Sequence, residues 1–305
     1  MLFTIEDINL EIEKGIFLKL AKTISGIENK EASAAKYLES IQPSKVPIIG
    51  ITGPPGAGKS TLISAMINVW VGEGKKIAVL TVDPSSPFHK GAILGDRIRM
   101  RDWYMHPNVF IRSFASRGHL GGLTSAMIEL TTLLQSLNFD IIVLETVGVG
   151  QSEVEIADLA DTTIVVLIPD AGDDVQMMKS GLMEIADLFV VNKSDRPAAN
   201  TFFNHLQKMI QENNASMPAP KVISTIASQN MGIIELVEEV YQHQHLLEKS
   251  SDKLNSIMTK VIQIIIGKHL DKLDQEDIKT KLAIAIEDEH FNLFNFAKQI
   301  TDNKI

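Results

Sequence analysis

Seven short runs rich in Val, Ile and Leu lie in the middle of the chain and limit most strongly the folds open to it. They are VPIIGIT, KIAVLTV, NVFIRS, FDIIVLET, TTIVVLI, DLFVVN and KVIST, between residues 46 and 225. Several are continuously apolar, as is typical of strands that helices bury on both faces. Helical patterns separate them, and such alternation favours a parallel sheet with right-handed crossovers. The sequence therefore predicts an α/β protein with a doubly wound, mostly parallel sheet.

Helical patterns without strand signals flank this block. Before it, apolar residues at steps of three and four predict helix over residues 4–40, with a second short helix near residues 30–39. The apolar residues are Ile5, Ile8, Ile12, Ile16 and Leu20. After it, residues 250–305 predict two or three amphipathic helices, suited to packing on the sheet or to contact between subunits. We divide the chain into an N-terminal helical arm (1–44), a central domain (45–247) and a C-terminal helical segment (248–305).

Composition excludes several functions. The 305 residues contain no Cys, which excludes disulfides, thiolate metal sites and cysteine nucleophiles. A formal charge of −9 disfavours long-range attraction to nucleic acid or to an anionic membrane. The N-terminus is acidic where a signal peptide is basic, and no apolar run approaches the roughly 20 residues that span a bilayer. We expect a cytoplasmic protein that binds neither nucleic acid nor membrane.

A glycine-rich segment, GPPGAGKS, lies between the first apolar run and a helical pattern at residues 60–71. It matches the GxxxxGKS pattern of phosphate-binding loops. Its glycines allow successive backbone N–H groups to face one anion, and the helix N-terminus adds partial positive charge. Lys59 is placed to reach the β- and γ-phosphates, and the Ser60 hydroxyl to ligate Mg²⁺. The predicted phosphate contacts are Gly53, Pro54, Pro55, Gly56, Ala57, Gly58, Lys59, Ser60 and Thr61.

An NKxD element follows another apolar run, in VVNKSD at residues 190–195. A carboxylate at Asp195 would accept from both N1–H and the exocyclic amine of guanine, whereas adenine has an acceptor at N1 and no amine at C2. A mismatched buried polar group costs about 1–3 kcal/mol, so one Asp discriminates strongly. Asn192 is expected to steady the loop and the Lys193 stem to lie along the base. The predicted ligands are GTP and GDP.

Acidic residues at strand ends supply the expected metal ligands. Asp83 directly follows the second run and Glu145 is the next-to-last residue of the fourth, and the carboxyl ends of parallel strands meet where ligands bind. Carboxylate and hydroxyl oxygens suit Mg²⁺. The predicted metal-site residues are therefore Ser60, Asp83, Asp96 and Glu145, with a helix cap as the alternative role for Asp96.

Residues 145–148 read ETVG and are similar to the DxxG element of GTPases, with Glu replacing Asp. The Gly148 N–H would then contact the γ-phosphate. Val149 follows where Ras-like proteins place a water-orienting Gln, so we expect slow hydrolysis completed by another segment or by a partner. Basic residues that could supply charge are Arg99, Arg101, Arg117 and Lys179.

Together these strings resemble one family. They are GPPGAGKST (53–61), VDPSSPF and GAILGDRIRM within 82–100, RGHLGGL (117–123), ETVGVGQSE (145–153) and AGDDVQMMKSGLMEIADLFVVNKSD (171–195). The chain resembles the MeaB/ArgK family, to which the human MMAA protein belongs: G-protein chaperones of adenosylcobalamin-dependent acyl-CoA mutases. The resemblance covers about residues 45–235.

The resemblance implies a P-loop G domain with helical arms, homodimerisation to which the C-terminal helices contribute, and GTP hydrolysis that the mutase accelerates. It also implies assistance in loading and protecting the mutase cofactor, with methylmalonyl-CoA mutase as the default client. Carried over, it makes Lys59, Glu145 and Lys179 the catalytic candidates, Lys179 from a segment described in the family as an extra switch. It assigns nucleotide contacts to Gly148, Asn192, Lys193, Asp195, Ile226, Ala227 and Ser228.

The chain departs from the family pattern at three places. Residues 89–91 read HKG where members have Thr/Ser-Gly-Gly, and Arg196 stands where many have Gly. Ile226 replaces the serine of the guanine-side Ser-Ala pair, so a hydroxyl is missing beside the expected base.

Three alternatives remain at the sequence level. A nickel-insertion GTPase shares the fold class but uses Cys/His ligands. Here the one close histidine pair, His243 and His245, does not share a helix face, and we interpret it as solvated surface. A small-molecule or protein kinase would need an acceptor pocket with a positioned base, which no pattern specifies. A GTP-dependent scaffold with no significant turnover differs only in its kinetics.

Overall fold

The seven apolar runs form seven strands of one sheet in the computed structural model, which describes residues 2–83, 100–115, 122–146, 155–169, 181–213, 219–247, 253–270, 273–287 and 291–302. The strands are β1 (Ile48–Thr52), β2 (Ile77–Asp83), β3 (Val109–Ala115), β4 (Ile141–Glu145), β5 (Thr162–Leu167), β6 (Leu188–Val191) and β7 (Lys221–Ser224). Their order is β3-β2-β4-β1-β5-β6-β7, and each neighbouring pair is parallel. The predicted fold class is confirmed.

Helices cover both faces of this sheet. They are α1 (Ile5–Glu13), α2 (Leu18–Glu28), α3 (Ala34–Ser40), α4 (Lys59–Gly72), α5 (Gly122–Gln135), α6 (Leu182–Ile185), α7 (Ala199–Asn213), α8 (Ile233–Leu247), α9 (Lys253–Leu270), α10 (Gln275–Ala285) and α11 (Leu293–Asp302). Alternate residues of β1 enter opposite cores: Ile49 and Ile51 pack with α4 and α8, and Ile48 packs with α1, α2 and α5. The continuous apolar runs follow from this burial on two sides.

The N-terminal region differs from the prediction because α1 and α2 are separate helices. Gly15 breaks the helix with a φ of +70°, and a Cβ there would lie 2.4 Å from Pro107 Cβ. The bend places the Phe17 ring 5.5 Å from that of Phe110. Ile16, predicted on the apolar face, is consequently exposed. The apolar spacing continues across Gly15, so periodicity alone did not reveal the turn at this glycine.

An arginine on the edge strand β3 holds α2 in place. The Arg112 guanidinium donates to Ala21 O at 3.1 Å and to Ser25 Oγ at 3.0 Å, and it forms an ion pair with Glu28. These contacts fasten the N-terminal helices over the edge strand.

Three aspartates, each directly before a strand, link neighbouring strands at the end of the sheet where the strands begin. Asp140 N donates to Lys76 O while its carboxylate accepts from Lys76 N, both at 2.8 Å. Asp161 makes the same reciprocal pair with Ile48 at 2.7 and 2.8 Å, and Asp187 makes it with Thr163 at 3.0 and 2.7 Å. The three reciprocal aspartate pairs therefore join β4 to β2, β5 to β1, and β6 to β5 where these strands begin.

The C-terminal segment contains the predicted helices, here α9, α10 and α11. Of these, α9 packs against α5, and α10 begins at an Asp274 cap whose carboxylate accepts from Glu276 N and Asp277 N. Within the described ranges, every helix is too short or too polar to traverse a bilayer. The division of the chain at residues 44 and 247 stays a prediction.

Candidate nucleotide-binding site

The loop from Gly53 to Gly58 joins β1 to α4 at the carboxyl edge of the sheet. Gly53, Gly56 and Gly58 all have positive φ, at +134°, +80° and +90°. An added Cβ would lie 2.1 Å from Val166 O at Gly53 and 2.5 Å from Asn192 Nδ2 at Gly58. Only glycine satisfies both the backbone angles and these approaches. The loop is thus pressed against β5 on one side and against the NKxD element on the other.

Lys59 opens α4 and turns back over the loop. Its ammonium donates to Gly53 O at 2.7 Å and to Pro54 O at 3.1 Å, and the residue is only 6% exposed. A buried cation at a helix N-terminus, beside backbone N–H groups, favours a multiply charged anion. Ala57 is buried in the same loop, whereas Pro55 and Thr61 are exposed at its rim.

Ser60 and Glu145, two of the four predicted metal-site residues, are hydrogen-bonded to each other. Ser60 Oγ donates to Glu145 Oε1 at 2.7 Å, and the two residues are 4% and 7% exposed. A buried hydroxyl–carboxylate pair offers the hard oxygen donors that Mg²⁺ prefers, so the residues present fit this ion. Asp83 ends β2 two residues beyond Thr81, the register partner of Glu145.

Asn192 connects the phosphate loop to the loop after β7. Its side-chain amide donates to Ala57 O at 2.8 Å, and its carbonyl oxygen accepts from Thr225 Oγ1 and Ala227 N, both at 3.1 Å. Asn192 is buried, so each of these partners depends on it for a hydrogen bond in a dry setting. Lys193 has a φ of +56°, and its ammonium donates to Gly56 O at 2.7 Å.

The expected guanine-side residues lie in two adjacent loops. Ser194 N donates to Thr225 O at 3.1 Å and brings the NKxD loop beside residues 226–228. Asp195 and Ser228 are exposed, whereas Ala227 is buried. Ile226 pairs through its backbone with Met231. The backbone of the Ile226–Ala227 pair is therefore engaged in the loop although the serine hydroxyl is absent.

Thr225 is a site residue that the sequence analysis missed. It is 1% exposed, and its hydroxyl donates to Asn192. Its position as the last residue of the run KVIST was the available signal, since polar side chains at strand ends face this edge of the sheet.

Several predicted residues cannot be placed. Gly148, Asp96 and Lys179 lie outside the described residues, as do Arg99, Arg117 and residues 89–91; of Asp83 only the backbone is described.

The histidine interpretation needs correction at one position. His243 Nδ1 lies 2.9 Å from Thr162 Oγ1 and its Nε2 lies 3.4 Å from Asp187 Oδ1, so this residue is partly buried rather than solvated. His245 is exposed. Among the described residues, no cluster of three or more His, Asp or Glu side chains could hold a metal ion.

A phosphate loop between β1 and α4, an acid paired with its serine, and an NKxD loop braced against it define a P-loop GTPase. Residues 20–279 match the profile of the family described as "Methylmalonyl Co-A mutase-associated GTPase MeaB". The chain belongs to this family and is a guanine-nucleotide-binding GTPase.

Relatives agree with this assignment. A protein of Pyrococcus horikoshii named as a GTPase is 41% identical over 285 residues, covering 92% of this chain and 86% of the relative. GTPase ArgK of Escherichia coli is 43% identical over 190 residues, which cover 60% of this chain and 57% of the relative. The mouse protein named "Methylmalonic aciduria type A homolog, mitochondrial" is 37% identical over 209 residues, covering 67% and 50%.

A solved structure shares the fold along the whole chain. The crystal structure titled LAO/AO transport system kinase superposes with a TM-score of 0.72, covering 99% of each chain at 24% identity. At that identity the similarity establishes the fold alone.

Proposed function

We propose that this protein uses GTP to assist an adenosylcobalamin-dependent acyl-CoA mutase, with methylmalonyl-CoA mutase as the first client to test. The assistance would consist of cofactor loading and protection of the mutase. The family match over residues 20–279 carries this proposal, because the family's description names that mutase. The name of the mouse relative, which refers to methylmalonic aciduria, agrees with a client that acts on a methylmalonyl compound.

In this proposal the predicted site residues divide the work by position. Lys59 neutralises the β- and γ-phosphates, and Ser60 and Glu145 hold Mg²⁺, which would supply charge compensation at those phosphates. Asp83 and Asp96 complete the metal site, and Gly148 and Lys179 act at the γ-phosphate. Asn192, Lys193 and Asp195 bind guanine together with residues 226–228. Because no residue matches the water-orienting glutamine, intrinsic turnover is slow and the mutase accelerates it.

The test is the rate of GTP hydrolysis by the purified protein, alone and with the mutase from the same organism, with ATP as the control nucleotide. We expect slow GTP turnover that rises many-fold with mutase and no comparable ATP turnover. Asp195→Asn should narrow the preference for GDP over ADP by at least about tenfold, which corresponds to about 1.4 kcal/mol. GTP turnover that no such mutase changes would refute the proposed client, and would favour the scaffold or metal-delivery function.

We further propose a cytoplasmic homodimer formed through the C-terminal segment. The outer face of α9 carries an apolar stripe of six side chains, each between 43% and 53% exposed. The stripe consists of Ile257, Met258, Val261, Ile262, Ile265 and Ile266. An apolar patch of this regularity is typical of an interface, and a second copy of the same helix would cover it isologously.

Ile262→Glu should shift the protein to monomer in sedimentation velocity runs. Gln263→Glu is the matched control, because it adds the same charge to the next residue of α9 but outside the stripe. Equal sedimentation of the two variants would refute this interface.

A further inference from the structure

A turn at residues 155–161 packs directly on the strand that carries the phosphate loop. At Gly50 of β1, an added Cβ would lie 2.9 Å from Ala160 Cβ and 3.1 Å from Ile156 Cγ1. The turn closes on itself through Leu159 N and Ala160 N, which both donate to Ile156 O. The 155–161 turn therefore packs directly against the backbone of β1 at Gly50, and no side chain would fit between them. Gly50 lies three residues before the start of the phosphate loop.

The C-terminal segment contacts the same turn from outside. The Lys260 ammonium on α9 donates to Leu159 O at 3.0 Å, in a partly buried bond between residues 101 positions apart. One helical turn further on, Ile264 packs against the core cluster that contains Ile156 and Leu159. A cation bonded to a partly buried carbonyl is among the stronger protein hydrogen bonds. The inner face of α9 is thus fixed to the 155–161 turn, while its outer face carries the apolar stripe.

We propose that the 155–161 turn couples the nucleotide site to α9, with Lys260 as the connecting residue. The path runs from the phosphate loop along β1 to Gly50, through Ile156 and Ala160, and from Leu159 O to Lys260. If β1 shifts on exchange of GDP for GTP, the turn shifts with it, because close-packed contacts transmit displacement rather than absorb it. The turn then moves α9 through one polar bond and one apolar contact.

Coupling between two sites is a free energy and acts in both directions. If exchange of GDP for GTP changes the affinity of the apolar stripe for its partner, then covering the stripe must change the preference for GTP over GDP by the same factor. Typical couplings correspond to factors of about 5–150. The consequence for the stripe rests on the proposed homodimer, whereas the coupling to α9 itself does not.

The test is hydrogen exchange of the full chain, followed by mass spectrometry, with GDP and with a non-hydrolysable GTP analogue. In the wild type we expect amides of the 155–161 turn and of α9 to exchange at rates that differ at least about fivefold between the two nucleotides. In Lys260→Met the difference should persist in the turn and become clearly smaller in α9, where only the Ile264 contact remains. Lys260→Arg keeps a donor and should restore it.

Lys268→Met is the matched control, because Lys268 lies on the same helix and pairs with Glu39 at an exposed site. It should leave the α9 response intact. Identical α9 exchange in both nucleotides for the wild type would overturn the coupling, and an unchanged response in Lys260→Met would overturn the role of Lys260. Failure of the homodimer is seen separately, as a monomer in sedimentation, and failure of nucleotide binding appears in a direct titration.

Discussion

Replacement of Asn192 by Ala tests whether one buried amide holds the nucleotide site together. The substitution removes the donor to Ala57 O and the acceptor for Thr225 Oγ1 and Ala227 N. The Thr225 hydroxyl can rotate toward another acceptor. Ala57 O and Ala227 N are backbone atoms held by their loops, so they cannot turn toward a new partner. A buried group left unsatisfied costs about 1–3 kcal/mol. Two such groups, partly relieved by entering water, give an expected loss of about 2–4 kcal/mol.

The loss should be visible both in the free energy of unfolding, from urea titration, and in the affinity for GDP, from calorimetry. Asn192→Asp should be at least as damaging, since it keeps the acceptor but places a carboxylate oxygen against Ala57 O. Asn204→Ala, at an exposed position of α7, is the control and should change stability by less than about 0.5 kcal/mol. If Asn192→Ala matched this control in both assays, the reasoning from buried hydrogen bonds would be wrong.

Three further changes probe other parts of the structure. Gly53→Ala places a Cβ 2.1 Å from a carbonyl oxygen of β5 and should abolish detectable GDP binding in a fluorescence titration; affinity within tenfold of wild type would contradict the close approach. Asp161→Ala removes the carboxylate that accepts from Ile48 N and should lower the free energy of unfolding by about 1–3 kcal/mol, whereas the exposed Asp158→Ala should not. Burial raises the pKa of Tyr37 from 10.0 to about 12. The neutral phenol is therefore favoured by folding, and its stabilisation is complete below about pH 10 and is lost as the pH rises toward about 12. Tyr37→Phe should flatten that part of the melting-temperature profile, and an unchanged slope would count against a buried phenol.

The fold was predictable from sequence because it depends on burial. Seven apolar runs in alternation with helical patterns leave a doubly wound sheet as the natural arrangement, and the structure confirms it. The backbone conformation of the phosphate loop was also predictable, because its glycine spacing is typical of a loop with positive φ angles that other residues rarely adopt.

The parts that escaped prediction depend on contacts between distant residues. At Gly15, which ends α1 with a positive φ, the space for a side chain is closed by Pro107, a residue remote in sequence. The pattern of its own helix predicts that His243 is exposed, but packing of that helix on the sheet brings it into contact with Thr162 and Asp187. Thr225 carries no motif of its own and becomes part of the site because Asn192 reaches it. Hydrophobic periodicity predicts which side of a segment is buried, but it does not predict which remote residues that segment contacts.

The reciprocal aspartate pairs affect how accurately the nucleotide-binding loops are positioned at the carboxyl end of the sheet. Successive residues of a strand are about 3.3 Å apart and point to opposite faces, so a slip of one position would bury the wrong side chains. Asp161 fixes β1 against β5 and thereby fixes the level at which Gly53 passes Val166 O. Strand alignment is thus secured where the strands begin, and the position of the phosphate loop at the opposite end of β1 depends on it.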